Sequence, residues 1–179
     1  MWGSRGGLMS ATGVQISSSR PGQQNFACWW DADTIREILD GTTVTKWNPA
    51  TSSGSSMFSP SGVSSINGTK STPNLSVDLF GDWREEVIWR ADDNESLRIY
   101  TTTIPAAGRL HTLMHDPQYR MAIAWQNVGY NQPPHPSFFI GDVAQLIPLN
   151  QRSLLLARDW NSLGVDPALS PTPYAVAAT

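Results

Sequence analysis

The stretch Asp78–Arg90, DLFGDWREEVIWR, sets four carboxylates within nine residues, bends at Gly81 and runs straight into Val87-Ile88-Trp89. A β-branched and aromatic run of that kind reads as a strand entering a core. The chain must therefore fold around a sheet that carries an acidic turn at its edge. Calcium takes about six to eight oxygen ligands, and carboxylates along a glycine-kinked loop are one way to supply them. Asp78, Asp82, Glu85 and Glu86 are accordingly candidate calcium ligands. The pattern lacks the full alternation of an EF-hand loop. A surface turn balanced by Arg84 and Arg90 uses the same residues without a metal.

Composition agrees with a sheet-rich fold. At 179 residues the chain is long enough for one domain with its own core. Only 15% of residues are charged, whereas Trp (8), Gly (14) and Pro (13) are plentiful. That profile suits a turn-rich β protein and not a helical bundle. A formal charge of −3 with singly scattered Lys and Arg argues against a nucleic-acid partner. Cys28 is the only cysteine, which excludes a disulfide framework and makes it a small buried apolar residue. No stretch of about 18 apolar residues occurs and no signal-peptide core precedes Gly13, so a soluble chain with no membrane partner is expected. Met1-Trp2-Gly3 leads directly into a Gly-rich segment and reads as the interior of something longer.

In chain order, Gly13–Ser17 and Asn25–Asp31 are expected strands, with Trp29 and Trp30 facing opposite sides of a sheet. A strand ending at Asp40-Gly41 and another over Thr43–Trp47 form a meander with a two-residue turn. Asn48–Ser61, rich in Ser, Pro and Gly, reads as a long surface loop anchored by Met57-Phe58. Asn67-Gly68-Thr69-Lys70 is a turn that puts a hydroxyl and an ammonium at an exposed edge. Leu75–Leu79, Glu86–Arg90, Leu97–Thr103 and Tyr119–Gln126 are the remaining expected strands. This spacing is that of stacked four-stranded sheets, as in a β-propeller or a sandwich. His111 and His115 have the spacing of two ligands on one helical face, but Pro105 and Pro117 argue against a helix there. Tyr130 precedes the rigid Asn131-Gln-Pro-Pro-His-Pro136 loop, where a phenol can exchange a proton or stack on a sugar.

The segments NFACWWDADTIREILDG, DLFGDWREEVIWR and LRIYTTTIPAAGRLHTLMHDPQYRMAIAWQNVGYNQPPHPSFFIGD resemble the C-terminal part of the rhamnogalacturonan lyases of polysaccharide lyase family 11. The resemblance runs from about Met1 to Asp142. It implies an all-β fold, namely about three blades of an eight-bladed β-propeller. It also implies bound calcium and β-elimination of rhamnogalacturonan-I, a pectin polysaccharide acted on outside the cell. Residues 1–142 are then the propeller portion, and residues 143–179 a divergent tail with a candidate amphipathic helix from Asn150 to Asn161.

The resemblance further places Asn67, Gly68, Thr69 and Lys70 in the cleft, against rhamnose and uronate, and identifies Tyr130 as the cleft tyrosine. β-Elimination removes the C5 proton of galacturonate and expels the oxygen on C4, so the neighbouring carboxylate must be neutralised. Lys70 is expected to neutralise that carboxylate or, if desolvated, to act as base, with Tyr130 as proton-transfer partner; the two roles are exchangeable. The alternative is a non-catalytic carbohydrate-binding or assembly fragment that keeps the cleft loops.

Overall fold

The computed structural model describes residues 2–3, 7–10, 12–106, 108–128, 131–141 and 147–148, for 2–3 and 147–148 the backbone alone. Tyr130 and the expected tail helix lie outside the described residues. The fold is predominantly β. Three antiparallel sheets follow one another along the chain. The first holds β1 (Trp2–Gly3), β2 (Gly7–Met9) and β3 (Gln15–Ser17) in that order. The second is the meander β4 (Ala27–Cys28), β5 (Glu37–Asp40), β6 (Thr43–Asn48) and β7 (Ser53–Phe58). The third is centred on β10 (Glu86–Ala91), flanked by β11 (Leu97–Tyr100) on one side and by β8 (Val63–Ser64) and β9 (Leu75–Val77) on the other. A short ladder joins β12 (Gly108–Arg109) to β13 (Ile147–Pro148), and between them lie a 3-10 turn (Leu113–His115) and the helix α1 (Pro117–Trp125).

Strand alternation sorts the apolar residues. Phe26, Cys28 and Trp30 enter one core cluster with Leu39, Val44, Val63, Val87 and Trp89, between the second and third sheets. Trp29 enters another, with Val77, Trp83, Leu113 and Tyr119. The two adjacent tryptophans thus face opposite ways, as expected. Trp89 and Trp83 are completely buried. Each such aromatic contributes about 4–6 kcal/mol of transfer free energy, an upper estimate. The expected two-residue turn is also present, because Asp40 pairs with Thr43 and Gly41 adopts φ 59° between them.

Two expectations are corrected. Asn48–Ser61 is not a long loop: β7 pairs with β6 from Val44↔Phe58 to Asn48↔Ser53. Phe58 supplies the reason, since its ring lies 5.1 Å from Trp30 and 5.2 Å from Tyr100, which draws a Ser-rich edge strand onto the core. Tyr119–Gln126 is not a strand but most of α1. Pro117 occupies the first turn and the Asp116 side chain accepts from Gln118 N, so the proline starts the helix instead of preventing it. Tyr119 and Ala122 are its buried positions and Gln126 follows as the buried C-cap, a helical and not an alternating spacing. No helix among the described residues is long and apolar enough to cross a membrane.

Candidate functional site

Both β8 and β9 pair with the same edge of β10: Arg90 and Ala91 face Ser64 and Val63, and Glu86–Ile88 face Val77–Leu75. They are two pieces of one interrupted strand, and residues 65–74 are an excursion from it. Asn67-Gly68-Thr69-Lys70 is therefore no hairpin tip. Its shape is fixed by side chains. Asn67 Oδ1 accepts from Lys70 N at 2.7 Å and Ser71 N at 3.2 Å, while its Nδ2 donates to Thr72 Oγ1 at 2.9 Å. Asn25 Nδ2 donates to the Lys70 carbonyl at 2.7 Å, and Gly41 N to the Ser71 carbonyl at 2.8 Å. Both backbone polar groups of Lys70 are thus tied down. Gly68 and Thr69 are exposed, while Asn67 and Lys70 are half-buried. Asn67 serves mainly to shape the loop.

The segment after α1 lies against the return arm of this loop. Asn131, next in sequence to Tyr130, donates from Nδ2 to the Pro73 carbonyl at 3.0 Å. Asn127 Nδ2 donates to the Asn74 carbonyl at 2.6 Å. Arg36 stacks on Trp29 with 3.7 Å to the ring centroid and donates to the Pro134 carbonyl, which anchors the proline-rich loop to the second sheet. Asn25, Arg36, Asn127 and Asn131 were not singled out from sequence. Their one signal there is polar amides and a cation beside apolar strands, and polarity names no partner.

The acidic turn is organised differently from a shared metal site. Glu85 is buried: Oε2 accepts from Trp29 N at 3.0 Å, Oε1 accepts from the Tyr119 hydroxyl at 2.8 Å, and Arg36 lies 3.5 Å away. Glu86 accepts from Leu79 N, Phe80 N and Thr101 Oγ1. Asp78 Oδ2 accepts from Leu113 N at 2.7 Å and Thr112 Oγ1 at 2.8 Å, and its Oδ1 is buried without a partner. Asp82 caps Arg84 N and pairs with its guanidinium at 2.5 Å. Burial pushes the carboxyls of Asp78, Glu85 and Glu86 above their usual range, against the pull of these donors. The Tyr119 hydroxyl is pushed up by burial and by Glu85. Each carboxylate is thus engaged by its own donors, and the four do not present one donor set for an ion with six to eight ligands.

Another turn does bring carboxylates together. Oxygens of Asp31, Asp33 and Glu37 come within 4.8 Å of one another. Lys46 Nζ stands among them, 2.7 Å from Asp31, 2.5 Å from Asp33 and 2.7 Å from Glu37. Desolvation pulls the Lys46 ammonium down, but these hydrogen bonds outweigh it and hold its pKa above the ordinary value. Burial raises the Glu37 carboxyl. A cation of the chain already satisfies this cage.

The two histidines lie apart from these loops. Their rings are 6.4 Å apart, and with Asp116 and Phe138 they line a cavity of about 540 Å³ beside the start of α1. Donors from Ser137 and Gln118 hold the Asp116 carboxyl below its usual range despite some desolvation.

The sequence pattern described as "Rhamnogalacturonan lyase family 11, C-terminal domain" matches residues 1–149. Rhamnogalacturonan endolyase YesW of Bacillus subtilis (strain 168) is 57% identical over 137 residues, covering 76% of this chain and 22% of the relative. Rhamnogalacturonan exolyase YesX of the same organism is 52% identical over 143 residues, covering 75% and 23%. The crystal structure of YesW superposes with a TM-score of 0.75 at 55% identity, over 80% of this chain and 25% of that one. The chain therefore spans less than a quarter of the length of these curated relatives.

Proposed function

The chain belongs to rhamnogalacturonan lyase family 11, and from that membership we propose that it is the C-terminal part of a polysaccharide lyase that cleaves rhamnogalacturonan-I by β-elimination. In this reading the three successive sheets are neighbouring blades of a β-propeller and the Lys70 loop lines its cleft. The observation that carries the reading is the tethering of that loop. Lys70 is fixed through both backbone groups, and Asn131 binds the Pro73 carbonyl three residues further on, which supports a loop shaped before substrate arrives.

The chemistry needs three things: a neutralised uronate carboxylate, a base for the C5 proton and an acid for the departing C4 oxygen. The C4–O bond breaks as the C4=C5 double bond forms. Lys70 stands at the carboxylate, or takes the C5 proton itself when desolvated, and Tyr130 completes the proton transfer. Asn67, Gly68 and Thr69 frame the sugar. Calcium enters as an ion of the whole lyase. Of the expected ligands Asp78, Asp82, Glu85 and Glu86, the last three have both oxygens engaged by their own donors, so Asp78 Oδ1 is the one oxygen this turn keeps for an ion. A pectin substrate also implies work outside the cell.

The test is ultraviolet absorbance of the unsaturated product, with rhamnogalacturonan as substrate and with or without a calcium chelator. Lys70→Ala and Tyr130→Phe each lower the rate by about 10²–10⁴-fold, the contribution of a positioned acid or base. Full activity in both variants sinks the assignment. A second reading, sugar binding without turnover, uses the same tethered loop as a sugar-contacting surface. Binding of rhamnogalacturonan oligosaccharides with no absorbance change would favour it.

A further inference from the structure

Three amide side chains run along the arm that returns from the Lys70 loop. Gln126, fully buried, accepts at Oε1 from Ser76 N at 2.6 Å and donates from Nε2 to the Ser76 carbonyl at 2.9 Å. A single side chain thereby pairs with Ser76 as a neighbouring strand would, on the edge of β9 away from β10. Asn127 holds the Asn74 carbonyl, and Asn131 holds the Pro73 carbonyl and lies 3.4 Å from Asn127 Oδ1. Asn131 is 6% exposed and its own Oδ1 is buried without a partner. A buried acceptor left without a donor is uncommon, and Asn131 bears that cost while its Nδ2 holds the Pro73 carbonyl.

We propose that Gln126, Asn127 and Asn131 form a positioning ladder that fixes the spacing between the return arm of the Lys70 loop and the segment that begins at Asn131. This proposal rests on the reading of those two segments as the sugar site. The bond from Asn131 to Pro73 joins the chain one residue beyond position 130 to the chain three residues beyond Lys70. Three residues span at most about 11 Å, so a change at Asn131 is transmitted to Lys70 over a short arm. None of the three amides needs to touch the sugar. They act by removing freedom from the return arm of that loop, and reacting groups misplaced by about 1 Å lose on the order of 10²-fold in rate.

The experiment uses the full chain, labelled with nitrogen-15, and a rhamnogalacturonan oligosaccharide as probe. Asn131→Ala and the isosteric Asn131→Asp, which keeps the shape but has no donor hydrogens, are compared with Asn127→Ala, an exposed position that leaves folding intact. The expected result is displacement of the Gly68–Lys70 amide signals in all three variants without sugar, with oligosaccharide affinity lower by about tenfold at Asn131. Thermal unfolding tells misfolding from repositioning. In a double-mutant cycle with Lys70→Ala the affinity losses are non-additive, because Asn131 acts through the loop. Unmoved Gly68–Lys70 signals in folded variants overturn the ladder. Displaced signals in a chain that binds no oligosaccharide leave the ladder standing and overturn the sugar-site reading.

Discussion

The two acidic turns of this chain each adjoin a tryptophan, Trp30-Asp31 in one and Asp82-Trp83 in the other, yet their carboxylates do opposite things. Asp31, Asp33 and Glu37 converge on Lys46, a cation delivered by β6, the neighbour of the β5 strand that Glu37 opens. Asp78, Asp82, Glu85 and Glu86 diverge, each toward backbone amides, hydroxyls or a guanidinium of its own. Spacing along the chain does not distinguish the two turns. What separates them is which donors the fold brings up. Convergence offsets mutual repulsion with one shared cation, whereas divergence turns Asp78, Glu85 and Glu86 into brackets between segments.

The largest effect that would break this comparison is at Glu85. Glu85→Ala strands the Arg36 guanidinium, the Tyr119 hydroxyl and Trp29 N–H together, and a loss of about 3–5 kcal/mol is expected in chemical denaturation. A loss below 1 kcal/mol would mean that the divergent turn is not a bracket. Next comes Lys46→Met, which leaves three carboxylates facing one another and should cost about 2 kcal/mol at neutral pH. The difference from wild type shrinks in acid, as the carboxylates protonate. It also shrinks in alkali: the Lys46 pKa is raised by folding, so its contribution is complete below the ordinary value of 10.5 and is lost as pH rises through the higher folded value. A difference constant with pH would break the convergent half of the comparison.

A smaller, graded signal sharpens the divergent half. The folded state holds the Glu85 carboxyl above its ordinary 4.5, so the unfolded chain releases that proton first and stability falls as pH rises from about that value. Unfolding temperatures of Glu85→Gln should show a flatter decline across the same window. An identical slope would show that Glu85 is not the group titrating. The smallest effect is at Asp82, a half-buried residue whose partner Arg84 lies two residues away on the same turn. Asp82→Ala should cost about 1 kcal/mol, less than either change above.

Much of the β architecture was legible in the residues. The period of two in Phe26-Ala-Cys28-Trp-Trp30 predicted opposite faces for the tryptophans, and Asp40-Gly41 predicted the tight turn, because both signals are local. The helix and β7 were misread for equally physical reasons. Pro117 is a breaker inside a helix but a starter in its first turn, and Asp116 as cap decides between them. Ser-rich β7 carries no periodic apolar face, and one aromatic, Phe58, holds it on the core.

The same division runs through the candidate site. By itself the sequence determined the family, the strand periods and the Asn67–Lys70 turn, since these depend on neighbours in the chain. Only the tertiary structure decided what the charges and amides do. Glu85 meets Trp29 across 56 residues of sequence, Asn25 meets Lys70 across 45, and Asn131 meets Pro73 across 58. A carboxylate or an amide takes its role from the donor or acceptor opposite it, and here the fold alone supplies that partner.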